Sequence, residues 1–206
     1  MESGNLYHIY NRGNNKENIF FEEKNYQYFL NQFDKYLSAF VDVYAYCLMP
    51  NHFHFLIRIK EVGNQTSEVS KTPELLEKVS GKRGSKKLTL LEKAFKDFFI
   101  SYAKSINRQN SRTGSLFQAK FKKKEINNDG YFTTIIQYIH HNPVRAKLCK
   151  QYHEYKYSSY NAIIGPGETK IQRKEVLEWF GDRELFIKIH EERKLEIEEI
   201  ERFIML

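Results

Sequence analysis

Two runs of strictly alternating residues, separated by three residues, dictate the centre of this fold. In the first, Val41, Val43, Ala45 and Cys47 fall on one side and Asp42, Tyr44, Tyr46 and Leu48 on the other. After Met49-Pro50-Asn51 the alternation resumes, with Phe53, Phe55, Ile57 and Ile59 on one side and His52, His54, Leu56, Arg58 and Lys60 on the other. Side chains alternate across a strand with period two, so each run predicts a strand with one apolar face. The proline-containing break is too short for anything but a tight turn, and the pair reads as a β-hairpin.

The flanking sequence supplies partners for that hairpin. Leu6–Asn11 predicts a short strand ended by the turn signal Arg12-Gly13-Asn14-Asn15. Tyr26, Phe29, Leu30, Phe33, Leu37 and Phe40 recur at helical spacing and predict a helix over about 23–40. A polar insertion at about 61–87, with at most a short helix at Pro73–Val79, precedes a second helix. That helix carries Leu88, Leu91, Phe95, Phe98, Phe99, Tyr102 and Ile106 on one stripe. Ser115–Asn127 holds a further candidate strand. A third helix is expected from Asp129, its N-cap, to Pro143, its terminator. This order predicts an α+β domain over 1–165, an antiparallel sheet with helices packed on one face. A C-terminal helical extension follows over 166–206.

Composition excludes several classes. No apolar run is long enough to span a bilayer, and the N-terminus lacks the features of a secretory signal, so a cytoplasmic protein is expected. Cys47 and Cys149 are too few for a disulfide scaffold or a four-cysteine zinc site. The net charge of +7 is unevenly spread. Residues 1–170 carry 26 Lys and Arg against 16 Asp and Glu, whereas 171–206 carry 7 against 10. Lys82–Lys124 alone holds thirteen basic residues and two acidic ones. The charge alone fits a nucleic-acid binder and a solvated helix face equally; the many aromatics, able to stack unpaired bases, tilt the balance to the first.

The chemistry-bearing residues lie on the hairpin and the third helix. His52 and His54 share a strand face opposite the Phe/Ile side; a surface histidine pair without consequence is the plain alternative to a metal site. Tyr138 flanks the stripe Phe132, Ile135, Ile136 and Ile139, with its hydroxyl free to turn outward, and Asn142 follows one turn later. An amphipathic flank residue and a helix cap are the plain readings of these two. A tyrosine that attacks a phosphodiester needs charge stabilisation, which a cation held by two imidazoles and an amide could give.

Met49-Pro50-Asn51-His52-Phe53-His54-Phe55-Leu56-Ile57 and, far downstream, Tyr138-Ile139-His140-His141-Asn142-Pro143-Val144-Arg145-Ala146 resemble the REP-associated tyrosine transposases. These belong to the single-tyrosine HUH superfamily of insertion-sequence transposases. Tyr7-His8-Ile9, Arg12-Gly13-Asn14, Gly114–Lys122 and Tyr157-Ser158-Ser159-Tyr160 extend the resemblance over roughly residues 6–165.

The resemblance implies a ferredoxin-like, RRM-like HUH fold with His52 and His54 as metal ligands and Tyr138 as the nucleophile. Asn142 would be the third ligand, with His141 its competitor, and His8 structural or DNA-contacting. The implied cofactor is Mg²⁺ or Mn²⁺, and the partner is single-stranded DNA beside a hairpin, cleaved through a 5′-phosphotyrosine. Arg12, Arg112, Gln118, Lys120, Lys122, Lys123 and Lys124 are candidate backbone contacts, and Tyr44 and Tyr46 candidate base-stacking residues. A homodimer is compatible with the family. A non-catalytic hairpin-binding regulator and a nuclease using water are the rival functions. The acidic tail could pack on the domain, mediate association or cover the basic surface.

Overall fold

A computed structural model describes residues 1–61, 89–127 and 129–192, with the side chains of Asp129 and Gly130 not described. The expected insertion at 61–87, apart from Glu61, lies outside them, as do the capping side chain of Asp129 and the part of the C-terminal extension after residue 192.

The chain runs β1 (Leu6–Arg12), α1 (Glu23–Leu37), β2 (Val41–Met49), β3 (His52–Ile59), α2 (Leu90–Gln109), β4 (Lys122–Ile126) and α3 (Asp129–Arg145). Short helices α4 (Tyr160–Ile164), α5 (Arg173–Phe180) and α6 (Arg183–Glu192) follow. The strands form one four-stranded antiparallel sheet in the order β2-β3-β1-β4. This is the α+β, ferredoxin-like arrangement.

As expected, α1 and α2 cover one face. Tyr26, Phe29, Phe33 and Leu37 of α1 and Phe95, Phe98, Tyr102 and Ile106 of α2 are buried with Tyr7, Ile9, Phe53, Phe55 and Ile57 of the sheet. Phe33 stacks on Phe55 at 4.3 Å between ring centroids, and the Tyr102 hydroxyl donates to the Ile19 carbonyl at 2.8 Å. Each aromatic so buried contributes on the order of 1.5–3 kcal/mol. Both helices open with capping boxes, Glu22/Asn25 and Thr89/Glu92. Across the other face lies α3, whose Phe132, Ile135, Ile136 and Ile139 are buried with Leu56, Cys47 and Ile126.

One irregularity changes the reading of β2. The register slips between Val43 and Ala45, so Tyr44 is a bulged residue and the alternation reverses beyond it. Tyr46 and Leu48 pair with Phe55 and Phe53 and join the α1 side, whereas Cys47 and Met49 pair with His54 and His52 on the α3 side. A period-two count cannot register one inserted residue. In consequence Tyr44 and Tyr46 do not share a face. Tyr44 is fully buried against Phe132, and Tyr46 is half-buried on the helix-covered side beside Phe55. The expected base-stacking role of this pair is therefore corrected.

A second difference concerns Pro143, which sits inside α3 instead of ending it. Proline cannot donate to the carbonyl of residue 139. The Asn142 side-chain amide reaches that carbonyl at 3.4 Å and the Tyr138 carbonyl at 2.8 Å, and the helix continues to Arg145.

The C-terminal helices are fixed by buried polar contacts. His140 of α3 bridges Ser159 (2.8 Å) and His190 of α6 (3.0 Å), and His190 donates from Nδ1 to the Phe186 carbonyl. The Ser159 hydroxyl also receives the Tyr46 N–H, tying the segment after α3 to β2. At the β2 edge, Glu175 of α5 accepts both guanidinium nitrogens of Arg58 at 2.9 and 3.1 Å and the Tyr44 hydroxyl at 2.8 Å. The described part of the tail thus packs on the sheet at the edge opposite β4. Glu175→Ala leaves Arg58 only Asp42 at 3.8 Å, strands the buried Tyr44 hydroxyl and should lower stability by about 2 kcal/mol, read from the urea midpoint. An unchanged midpoint would show that the contact carries no net stability.

Candidate functional site

The β1–β3 register assembles the site. Arg12 lies opposite His52 and Tyr10 opposite His54, and His8 follows two residues before Tyr10 on the same face. On the other side of β1, Lys122 faces Tyr10 and Lys124 faces His8. The α3 side of the sheet therefore carries His52, His54, His8, Tyr10 and Arg12, flanked by Lys122 and Lys124.

Each histidine of the pair has an orienting partner. Nδ1 of His52 is 2.6 Å from Oδ1 of Asn51, and Nδ1 of His54 is 2.9 Å from Nε2 of His8. Asn51 also donates from Nδ2 to the Lys16 carbonyl, and Pro50 accepts the Ile19 and Phe20 N–H groups. The Met-Pro-Asn turn thereby holds both the loop after β1 and the His52 ring. Gly13 closes this corner: a Cβ there would lie 2.0 Å from the Glu17 carbonyl oxygen, which only glycine avoids.

Tyr138 and Asn142 come from the sheet-facing side of α3. The Tyr138 ring meets His54 edge-on at 5.7 Å and His8 at 6.1 Å between centroids. It is 6% exposed, not turned outward as expected, because α3 crosses the sheet with this flank against the histidines. The Asn142 side chain lies next to the His52 ring. With its amide nitrogen committed to the helix carbonyls, the side-chain oxygen is the atom left to face that ring.

Burial keeps these imidazoles neutral. It pulls the His8 pKa down to about 3 and that of His52 down to about 4, the latter helped by the Arg12 charge; His54 is held well below the usual histidine range. Neutral imidazole is the ligating form. With both Nδ1 atoms engaged, His52 and His54 each keep Nε2, and Asn142 keeps a carbonyl oxygen. Two imidazole nitrogens and one amide oxygen fit a divalent cation as an uncharged donor set. Among the described residues, no group of three or more His, Cys, Asp or Glu side chains could hold a metal.

The other expected residues separate into two groups. His141 points away from the pair, with Nδ1 3.0 Å from the Tyr152 hydroxyl, so its expected competition for the third position is corrected. Gln118, Lys120 and Lys123 line a cavity of about 750 Å³ with Phe99, Phe117 and Phe121 on the α2 side. Arg112 forms an ion pair with Glu17 and lies over the Phe21 ring. Arg12, Lys122 and Lys124 are thus the expected contacts that share a face with the histidines. The Arg12 Nε atom is buried without a hydrogen-bond partner, and no carboxylate among the described residues pairs with this guanidinium. Tyr10, which stacks on His8 at 5.0 Å, and Asn51 were missed; the even-numbered face of β1 and the turn residue before His52 held the signal.

No protein-family model matches this chain, and no curated protein matches it. Among solved structures, its fold is similar to that of a REP-associated tyrosine transposase bound to a REP hairpin. The TM-score is 0.57 at 15% identity, with 81% of this chain and 82% of that chain covered. At that identity the likeness establishes the fold. No helix among the described residues is long and apolar enough to cross a membrane.

The buried imidazoles also predict an acid limit. His8, His52, His54, His140 and His190 all have pKa values lowered by burial, so their neutral forms stabilise the folded state. Their contribution is complete above the unfolded value of about 6.5 and is lost as pH falls toward the folded values, at up to ~1.4 kcal/mol per pH unit for each group. Urea midpoints measured between pH 7.5 and 5 should fall progressively; a flat profile would mean that these rings are not held neutral.

Proposed function

We propose that the chain is a REP-associated tyrosine transposase of the single-tyrosine HUH superfamily, which cleaves and rejoins single-stranded DNA beside a hairpin. The observation that carries this reading is the convergence of Tyr138 and Asn142, one turn apart on α3, onto His54 and His52. The motif resemblance and the shared fold support it. That neighbouring transposase was solved bound to a REP hairpin, which is the partner class we assign here.

In this reading the Tyr138 oxygen attacks the scissile phosphorus. A Tyr–O–P bond forms and the P–O3′ bond breaks; the phenol gives its proton to solvent, and the leaving 3′ oxygen takes one from solvent to become a hydroxyl. The DNA is left as a 5′-phosphotyrosine. Attack by another 3′-hydroxyl reverses the steps and reseals the strand without ATP, because one phosphodiester replaces another. Arg12 lies beside His52 with no carboxylate partner among the described residues, and it takes a non-bridging phosphate oxygen. His52, His54 and Asn142 would hold Mg²⁺ or Mn²⁺, which supplies charge stabilisation at the phosphate. Lys122 and Lys124 attract the backbone without reading sequence.

The burial of Tyr138 favours one second reading, a regulator that binds hairpin DNA without cutting it. Labelled hairpin DNA with a single-stranded flank, incubated with Mn²⁺ and run on a denaturing gel, separates the two. The expected result is a covalent adduct that chelation abolishes and that is absent in Tyr138→Phe. Cleavage that survives Tyr138→Phe sinks the nucleophile assignment in favour of attack by water. Binding without cleavage by the wild type establishes the regulator. Arg12→Ala should weaken DNA binding for all sequences and reduce the slope of log affinity against log salt by about 1; an unchanged slope removes Arg12 from the phosphate contacts.

A further inference from the structure

We infer that His8 is the positioning residue of His54: its Nε2 accepts the Nδ1–H of His54 and so keeps the Nε2 lone pair of His54 available to a cation. The inference rests on the proposed cation site and adds a residue to it. The two ring nitrogens are 2.9 Å apart, and the rings are nearly parallel, 8° between planes at 5.1 Å. A hydrogen bond between nearly parallel imidazoles fixes the ring orientation, and with His54 as the donor it fixes that ring's tautomer too.

His8 is itself immobilised. It is fully buried in the central strand, with Tyr10 stacked on it at 5.0 Å and the Tyr138 edge at 6.1 Å. Packing alone does not explain a histidine here. Its Nδ1 is buried without a hydrogen-bond partner, a cost that Phe or Leu at the same place would avoid. The compensation is the contact to His54, which neither of those residues could make. Asn51 stands in the same relation to His52, so each member of the pair has its own neutral acceptor. A carboxylate in either place would add negative charge and tighten the grip on a cation. Two uncharged acceptors orient the ligands and leave the ion exchangeable.

The test uses the full chain and Mn²⁺, with free ion followed by electron paramagnetic resonance. His8→Phe should weaken Mn²⁺ binding by about 10- to 100-fold, and His8→Gln, which retains an acceptor, should recover most of it. Long-range ¹H–¹⁵N spectra of histidine-labelled protein should find His54 as the Nδ1–H tautomer in the wild type. Circular dichroism establishes that each variant is folded, and the wild-type tautomer is read without any variant. A folded His8→Phe protein that binds Mn²⁺ as the wild type does, or a wild-type His54 in the Nε2–H form, overturns the inference. If instead His52→Ala leaves Mn²⁺ binding unchanged, the cation reading itself fails and the tautomer alone decides the role of His8.

Discussion

Everything at the candidate site depends on the antiparallel pairing of β1 with β3. Because opposed residues in such a pair share a face, the match of Arg12 with His52 and Tyr10 with His54 decides which groups can meet. A slip of one residue would send the histidines among the phenylalanines of α1 and α2. It would also move Phe53 and Phe55 against α3. Two large aromatic side chains on one face and two imidazoles on the other make the correct register far lower in energy than its neighbours. The same pairing that builds the core therefore aligns the polar groups, with no separate device.

Much of this was legible in the sequence. The alternation of Phe53, Phe55, Ile57 and Ile59 against His52 and His54 is a direct consequence of strand geometry, and the stripes of α1 and α2 follow from helical spacing. Helix, strand and hairpin order together define the sheet. Two details escaped because they break a period. The bulge at Tyr44 reverses the faces of half a strand, and Asn142 repairs the bond that Pro143 cannot make. The site was less legible, since contacts between His8 and His54, 46 residues apart, or between His141 and Tyr152 depend on packing that no local pattern encodes. His8 and His141 look alike in sequence; one lies against the histidine pair and the other faces away.

The back of α3 shows how its sheet-facing side is held in place. His140, fully enclosed, links this helix to Ser159 and through His190 to α6, so the helix that carries Tyr138 and Asn142 is gripped from both sides. A polar network in such a position tolerates fewer arrangements than apolar packing would, because each donor must find its own acceptor. Rotation of α3 by a fraction of a turn would break these bonds at once. The orientation of Tyr138 toward His54 is thus stabilised at a distance from the histidine pair.

The two borders of the sheet are treated differently. At β2, α5 and the residues before it close the border, with Ile171 bridged to Val43 and Glu175 clasping Arg58. At β4, no described strand continues the sheet, and the outermost segment reads Lys122-Lys123-Lys124. An open border of this kind invites another copy of the same strand to add on, yet two lysine-rich strands repel each other. The lysine cluster flanking the histidines therefore acts as a gatekeeper against self-assembly. Neutralising those lysines would remove the guard against aggregation.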